Sequence, residues 1–195
     1  MKKEPLIHKP ISTIILGPTS HWIAAARALE SAREDCLFDD PWAALLAGAK
    51  GTARLANRSP DSLAPRVLRI RFFDDLLKRI TRENAIQQVV LMAAGLDTRS
   101  FQLPWPYGTS LFELVPPLIL QEKEQILNSV NAQPTCARHV IKVDLTFPWK
   151  KPLCLVGFDP ERHSVWLLES FLFNIPNGSI TQILSEVNDL PSPGS

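Results

Sequence analysis

Residues 88–99 read QVVLMAAGLDTR, and the fold turns on how this stretch is read. Val89, Val90, Leu91 and Met92 form an apolar run with the length of a buried strand rather than a helix. The run stops at Ala93-Ala94-Gly95, where small side chains let a backbone approach a ligand closely. A second strand-like run, residues 109–114, brings Glu113 about twenty residues further on. A tight turn after one strand and a carboxylate at the end of the next is the layout of a nucleotide-binding crevice. No GxGxxG is present, and packing alone also accounts for small residues at such a turn.

Outward from this stretch the pattern alternates strand and helix. A helix is expected over residues 117–130, where Pro117 suits the first turn. Strands follow over 140–145 and 165–173, and a last helix carries Ile180, Ile183, Leu184 and Val187. Such alternation predicts an α/β fold with a doubly wound parallel sheet. Residues 1–87 read instead as a helical preface, or cap, to the unit at 88–195. Ser20 is placed to cap a helix carrying Trp22, Ile23, Ala26 and Leu29. Asp40-Pro41 opens a short helix over 41–46 that Gly48 ends, and 54–65 reads as polar loop. A longer helix over 66–82 carries Leu68, Phe72, Phe73, Leu76, Leu77 and Ile80 as its apolar set.

The 195 residues suffice for one ordinary domain, and 45% hydrophobic with 21% charged residues is a soluble globular composition. Lys and Arg number 21 against 20 Asp and Glu, so no basic excess exists to track nucleic acid. Cys36, Cys136 and Cys154 lack CxxC spacing and read as reduced, mostly buried thiols. His8, His21, His139 and His163 are scattered without metal-ligand spacing, so no metal is expected. Pro5 and Pro10 interrupt the N-terminus, no apolar run approaches a membrane span, and a cytoplasmic protein is expected.

The wording, beyond the spacing, resembles the leucine carboxyl methyltransferase-like family, in particular its bacterial S-adenosyl-L-methionine-dependent branch. The similar blocks are TSHWIAAARALESAREDCLFDDPWAALLAG (19–48), RIRFFDDLL (69–77), QVVLMAAGLDTRSF (88–101) and WPYGTSLFELVPP (105–117). VDLTFPW (143–149) and GFDPERHSVWLLESFLFNIP (157–176) complete the series. The resemblance implies a Rossmann-like sheet of seven strands, S-adenosyl-L-methionine as cofactor, and a small-molecule methyl acceptor. Only four strands are identifiable here, so the C-terminal strands are expected to be missing, with self-association through the open sheet edge.

By the same resemblance Arg69 meets the donor's carboxylate, with Arg27 a further partner, and Ala93 and Gly95 pass beneath its methionine moiety. Asp144 and Leu145 flank the adenine and Glu169 faces donor or acceptor, while Glu113 is the carboxylate that the strand spacing, not the resemblance, offers to the ribose. Asp97 and Arg99 follow in the turn, as site residues or as a locally ion-paired helix start. No catalytic base is assigned. Two positions depart from the family. Relatives read FELD or FEVD where this chain has Phe112-Glu113-Leu114-Val115, and valine cannot accept a hydrogen bond from a ribose hydroxyl. Asn174 stands where relatives often carry tyrosine. Two readings result: O-methylation of a carboxylate or hydroxyl, and a degenerate or truncated relative that binds the donor weakly. A nicotinamide-dependent oxidoreductase explains the spacing but not the AAGLDTR, VDL and LLES wording.

Overall fold

The computed structural model describes residues 17–59, 62–169 and 177–190. The four parallel strands β1 (Gln88–Leu91), β2 (Ser110–Val115), β3 (Ala137–Lys142) and β4 (Ser164–Leu167) lie in the order β3-β2-β1-β4. The chain builds outward from β1 through β2 to β3, then returns to set β4 on the other side of β1. That reversal puts a topological switch point between β1 and β4, where open α/β sheets bind their ligands.

Alternation along β1 and β2 divides the core between the two faces of the sheet. Val90, Met92, Phe112, Leu114 and Ile141 pack with Trp149, Leu153 and Ile183 from α6 (Lys150–Leu155) and α7 (Asn177–Asn188), and from the residue before α6. On the other face Val89, Leu91 and Leu111 pack against Leu77 of α3 (Ala64–Glu83). Val115 on that face meets Ala24 and Ala25 of α1 (Gly17–Ser31), Leu46 of α2 (Ala43–Ala56), and Ile119 and Leu127 of α5 (Pro117–Ser129). Helices cover both faces, as continuous apolar strands require, and the single turn α4 (Arg99–Gln102) lies between β1 and β2 in the chain.

The α/β architecture and the helical preface are as expected, but several elements differ in extent. Ser20 does not cap α1; the helix already runs from Gly17. Gly48 does end a helical segment, at φ 53° and ψ −169°, yet the chain resumes a helix to Ala56 where loop was expected. In α3 the buried stripe is Val67, Ile70, Asp74, Leu77 and Thr81, not the set built on Leu68 and Phe72, which are 59% and 62% exposed. The ion pair of Asp74 with the buried Arg99 accompanies that turn of the helix. Strand β4 ends at Leu167, so Leu168 and Glu169 follow it as irregular backbone. The rest of the expected strand, residues 170–173, and Asn174 lie outside the described residues, as does the N-terminal reading at 1–16. Cys36 and Cys136 are half-buried and Cys154 is exposed, so the thiols are free but less buried than expected.

No helix among the described residues is long and apolar enough to cross a membrane. The same residues hold no group of three or more His, Cys, Asp or Glu suited to a metal ion.

Candidate functional site

The turn after β1 is built around backbone conformations that few residues adopt. Ala93 has φ 53° and Gly95 φ 52°, both in the left-handed region. For an alanine that conformation is strained, and such strain clusters at functional sites. The turn is pinned from both neighbours: Met92 N donates to the Leu167 carbonyl at 2.9 Å, and Ala94 N to the Leu114 carbonyl at 3.0 Å. A Cβ on Gly95 would sit 2.6 Å from Ser20 Oγ of α1, a hydroxyl that can rotate away, so it is the left-handed φ that calls for glycine there.

A pocket opens over this turn, at the carboxyl ends of β1 and β4. Its floor is Leu91, Met92, Ala93 and Ala94, with Leu167 and Glu169 on the β4 side. Thr19, Ser20, Ile23 and Arg27 of α1 and Ile70 of α3 close it from above, and Asp97, Thr98 and Arg99 complete the wall.

Arg99 is the electrostatic centre of that wall. Its guanidinium donates to Asp74 Oδ1 at 2.6 Å, Asp97 Oδ2 at 2.6 Å and Glu169 Oε2 at 2.8 Å. Burial lowers the Arg99 pKa and the three carboxylates raise it more, so the guanidinium is held firmly charged. Burial drives the Asp74 carboxyl upward, and the Arg99 contact only partly offsets it. Glu169 bridges to a second cation, accepting from Arg69 Nε at 3.1 Å through Oε1. Arg27 donates to Asp40 Oδ2 at 2.7 Å and to the Leu96 carbonyl at 2.6 Å, and Thr98 Oγ1 joins Asp40 at 2.6 Å. Two arginines thus lock the turn to the helical preface.

The residues singled out from the sequence fall into two groups. Ala93, Glu169, Asp97, Arg99 and Arg27 line the pocket; Gly95 lies in its floor turn, and Arg69 reaches it through Glu169. Glu113 lies apart, fully buried within β2. Its Oε1 accepts from Ser100 Oγ at 2.7 Å and Arg138 Nε at 3.1 Å, and its Oε2 from Lys123 Nζ at 2.7 Å and Arg138 Nη2 at 2.8 Å. Burial would raise the Glu113 carboxyl; Lys123 and Arg138 overcome this and hold it at about 2. Val115 shares that face of β2 and is wholly buried in the apolar cluster with Ala24 and Leu96. Asp144 follows β3, its Oδ1 accepting from Thr146 N at 3.0 Å and Thr146 Oγ1 at 2.8 Å, while Leu145 packs into the core. Neither lines the pocket, although both stand at the same carboxyl edge of the sheet.

Asp74 and Asp40 escaped the sequence reading. Each is a carboxylate in an apolar or loop context, and only its distant arginine reveals it. The one signal was a doubled acid: Asp39-Asp40 before Pro41, and Asp74-Asp75 inside an otherwise amphipathic helix.

The family model for leucine carboxyl methyltransferase matches residues 20–188. A protein of a Parafrankia strain is 40% identical over 190 residues, covering 92% of this chain and 61% of its own length. Proteins of Frankia alni and Streptomyces coelicolor are 37% and 36% identical, covering 92% and 91% of this chain and 62% and 66% of their own lengths. Each carries the name "Putative S-adenosyl-L-methionine-dependent methyltransferase". The chain therefore spans somewhat under two thirds of the curated relatives it matches.

Proposed function

Since the chain belongs to the leucine carboxyl methyltransferase family, we propose that it takes a methyl group from S-adenosyl-L-methionine and delivers it to a carboxylate or hydroxyl oxygen of a small molecule. The observation that carries this reading is the Arg69–Glu169 pair beside a strained turn without bulky side chains. An amino-acid moiety brings a carboxylate and an ammonium. Arg69 offers a guanidinium fork to the first and Glu169 an acceptor to the second.

The residues present suit that end of the donor. Gly95 lacks a Cβ where one would meet Ser20, and Ala93 and Ala94 floor the pocket with single methyl groups. Asp144, at the end of β3, is the proposed acceptor for the adenine amine, with Leu145 beside it. Glu113 is proposed to position rather than to touch the donor, because Ser100, Lys123 and Arg138 occupy both its oxygens. When bound, the donor supplies an electrophilic methyl on a sulfonium. The protein's part is to hold donor and acceptor in line and exclude water, for which α1 and α3 of the preface serve as the cap. A carboxylate acceptor is already ionised at neutral pH and needs no base. Action in the cytoplasm fits this reading.

A second reading, a weakly binding relative without catalysis, is favoured by one observation: Val115 offers no acceptor and lies in the apolar core.

Calorimetric titration with S-adenosylhomocysteine tests the proposal, with NAD as the competing ligand. S-Adenosylhomocysteine is expected to bind, and Arg69→Ala to weaken it by about tenfold or more, the loss of one charge-assisted contact. Binding of NAD with no response to S-adenosylhomocysteine would overturn it.

A further inference from the structure

Most arginines near the pocket have a carboxylate partner: Arg27 has Asp40, Arg69 has Glu169, Arg71 has Asp75 and Arg99 has three. Arg58 and Arg66 do not. Among the described residues neither makes an ion pair; both lie instead over the ring of Trp22, with Cζ 4.8 Å and 4.3 Å from its centre. Trp22 is only 4% exposed, so the two guanidiniums form part of its cover. Burial lowers the Arg66 pKa, and the neighbouring Arg69 and Arg58 charges lower it further, with no carboxylate among the described residues acting against them.

Arg69 is compensated by Glu169, but Arg58 and Arg66 are two like charges held together, at a cost in free energy that an anion would recover. The geometry leaves donors for one. A guanidinium lying over an aromatic ring uses its π face there and keeps its in-plane N–H groups free for a planar oxyanion. Arg66 commits one of them, Nη1, to the Ser62 carbonyl at 2.7 Å. The place is also informative. Arg66 stands one turn before the pocket-lining Ile70 on α3, and it feels the charge of Arg69, the partner of the pocket carboxylate Glu169.

We propose that Arg58 and Arg66, carried on Trp22 at the rim of the pocket, form a subsite for an oxyanion, a carboxylate or phosphate, that the methyl acceptor bears away from its reacting oxygen. This assignment to the acceptor rests on the methyltransferase reading above. It narrows the substrate class to small molecules with a second anionic group.

The test follows the Trp22 indole N–H signal by NMR while succinate, glycerol 3-phosphate or uncharged succinamide is added to the chain saturated with S-adenosylhomocysteine. At least one of the two anions is expected to shift that signal saturably and succinamide not; which anion is the tighter identifies the group. Arg58→Gln/Arg66→Gln should weaken the anion by about tenfold or more. Arg58→Lys/Arg66→Lys should restore part of that loss, and S-adenosylhomocysteine affinity by calorimetry should stay within about twofold of wild type. If the double variant fails to fold by circular dichroism, the exposed Arg58→Gln alone carries the comparison. Anion affinity unchanged in the Gln variants, or no anion binding in wild type, overturns the subsite. A parallel loss of S-adenosylhomocysteine affinity overturns its assignment to the acceptor and gives the arginines to the donor. If wild type binds no S-adenosylhomocysteine, the methyltransferase reading fails. An anion response lost in the Gln variants would then still establish the oxyanion site, without the acceptor.

Discussion

Arg99 meets three carboxylates with a side chain only 4% exposed, so the pocket wall depends on one buried cation. Removing it leaves Asp74 and Asp97 without a cation among the described residues, close to a Glu169 that keeps only Arg69. Breaking a buried pair from one side costs far more than the pair's net worth, because the remaining charge stays desolvated. Arg99→Leu is therefore expected to lower stability by roughly 3–5 kcal/mol, read from urea midpoints at neutral pH. Asp74→Asn should cost clearly less, since burial already disfavours that carboxylate's charge. Equal losses would show that Arg99 is not the centre of the network. Glu113 makes the complementary case, with a pH signature. Its folded pKa, about 2, lies below the ordinary 4.5, so the folded state binds that proton less readily than the unfolded chain. Its contribution is therefore complete above about pH 4.5 and is lost as the pH falls toward 2. The shift corresponds to about 3 kcal/mol. Glu113→Gln is expected to be less stable than wild type at pH 7 and to converge on it below pH 3. Parallel stability profiles across that range would mean that Glu113 is not the group titrating.

Among the elements, the contact of α1 with α2 rests on small residues. Ala24 and Ala25 face Ala47, and Gly51 lies so close to α1 that a Cβ there would collide with the His21 backbone carbonyl. Gly51→Ala is thus expected to cost roughly 1–3 kcal/mol by forcing the two helices apart. Gly178, in the first turn of α7 with no described atom near an added Cβ, provides the contrast: Gly178→Ala should gain up to about 1 kcal/mol. Thermal unfolding of the two variants should move in opposite directions; a stabilised Gly51→Ala would contradict the helix packing. That glycine also shows why some elements were legible in the sequence and others were not. The first strand, α3 and α5 announce themselves through apolar runs, helical spacing and a proline at Pro117, all local signals. In α2 Gly48 reads correctly as a break, with its left-handed φ, but the helix beyond it is hidden because Gly51 is used for a contact with α1 that the sequence does not show. Helix α6 has Pro152 within it, and β3 begins at Ala137 because backbone pairing with Ser110 sets its register, not because of its side chains. The site divides likewise. Ala93, Gly95, Asp97 and Arg99 sit in one stretch and were visible together. Asp74 and Asp40 enter it from other elements and show no local signal beyond a doubled acid, Glu169 was reached only through its LLES wording, and for Glu113 spacing gives the strand end but not the use of its carboxylate.

The whole molecule places its pocket where β1 meets β4, and β4 is the most weakly framed of the four strands. It pairs with β1 through residues 164–167, and among the described residues no strand lies on its other side. Yet Glu169, two residues past its end, supplies the carboxylate that joins Arg69 to Arg99. The position of that carboxylate is therefore only as firm as an edge strand, whose outer backbone donors and acceptors invite pairing with another chain. The relatives extend beyond the length matched here, so a direct test is to join this chain to the portion of the Parafrankia relative that lies outside the match. The 195-residue chain alone is expected to self-associate with rising concentration in light scattering. The joined protein should be monodisperse, unfold at higher temperature and bind S-adenosylhomocysteine more tightly, because a neighbour for β4 would fix Glu169 against Arg69 and Arg99. If the 195-residue chain is instead a monomer with one sharp transition and transfers methyl groups, four strands suffice, and the ion network around Arg99 holds Glu169 in place without help from the sheet.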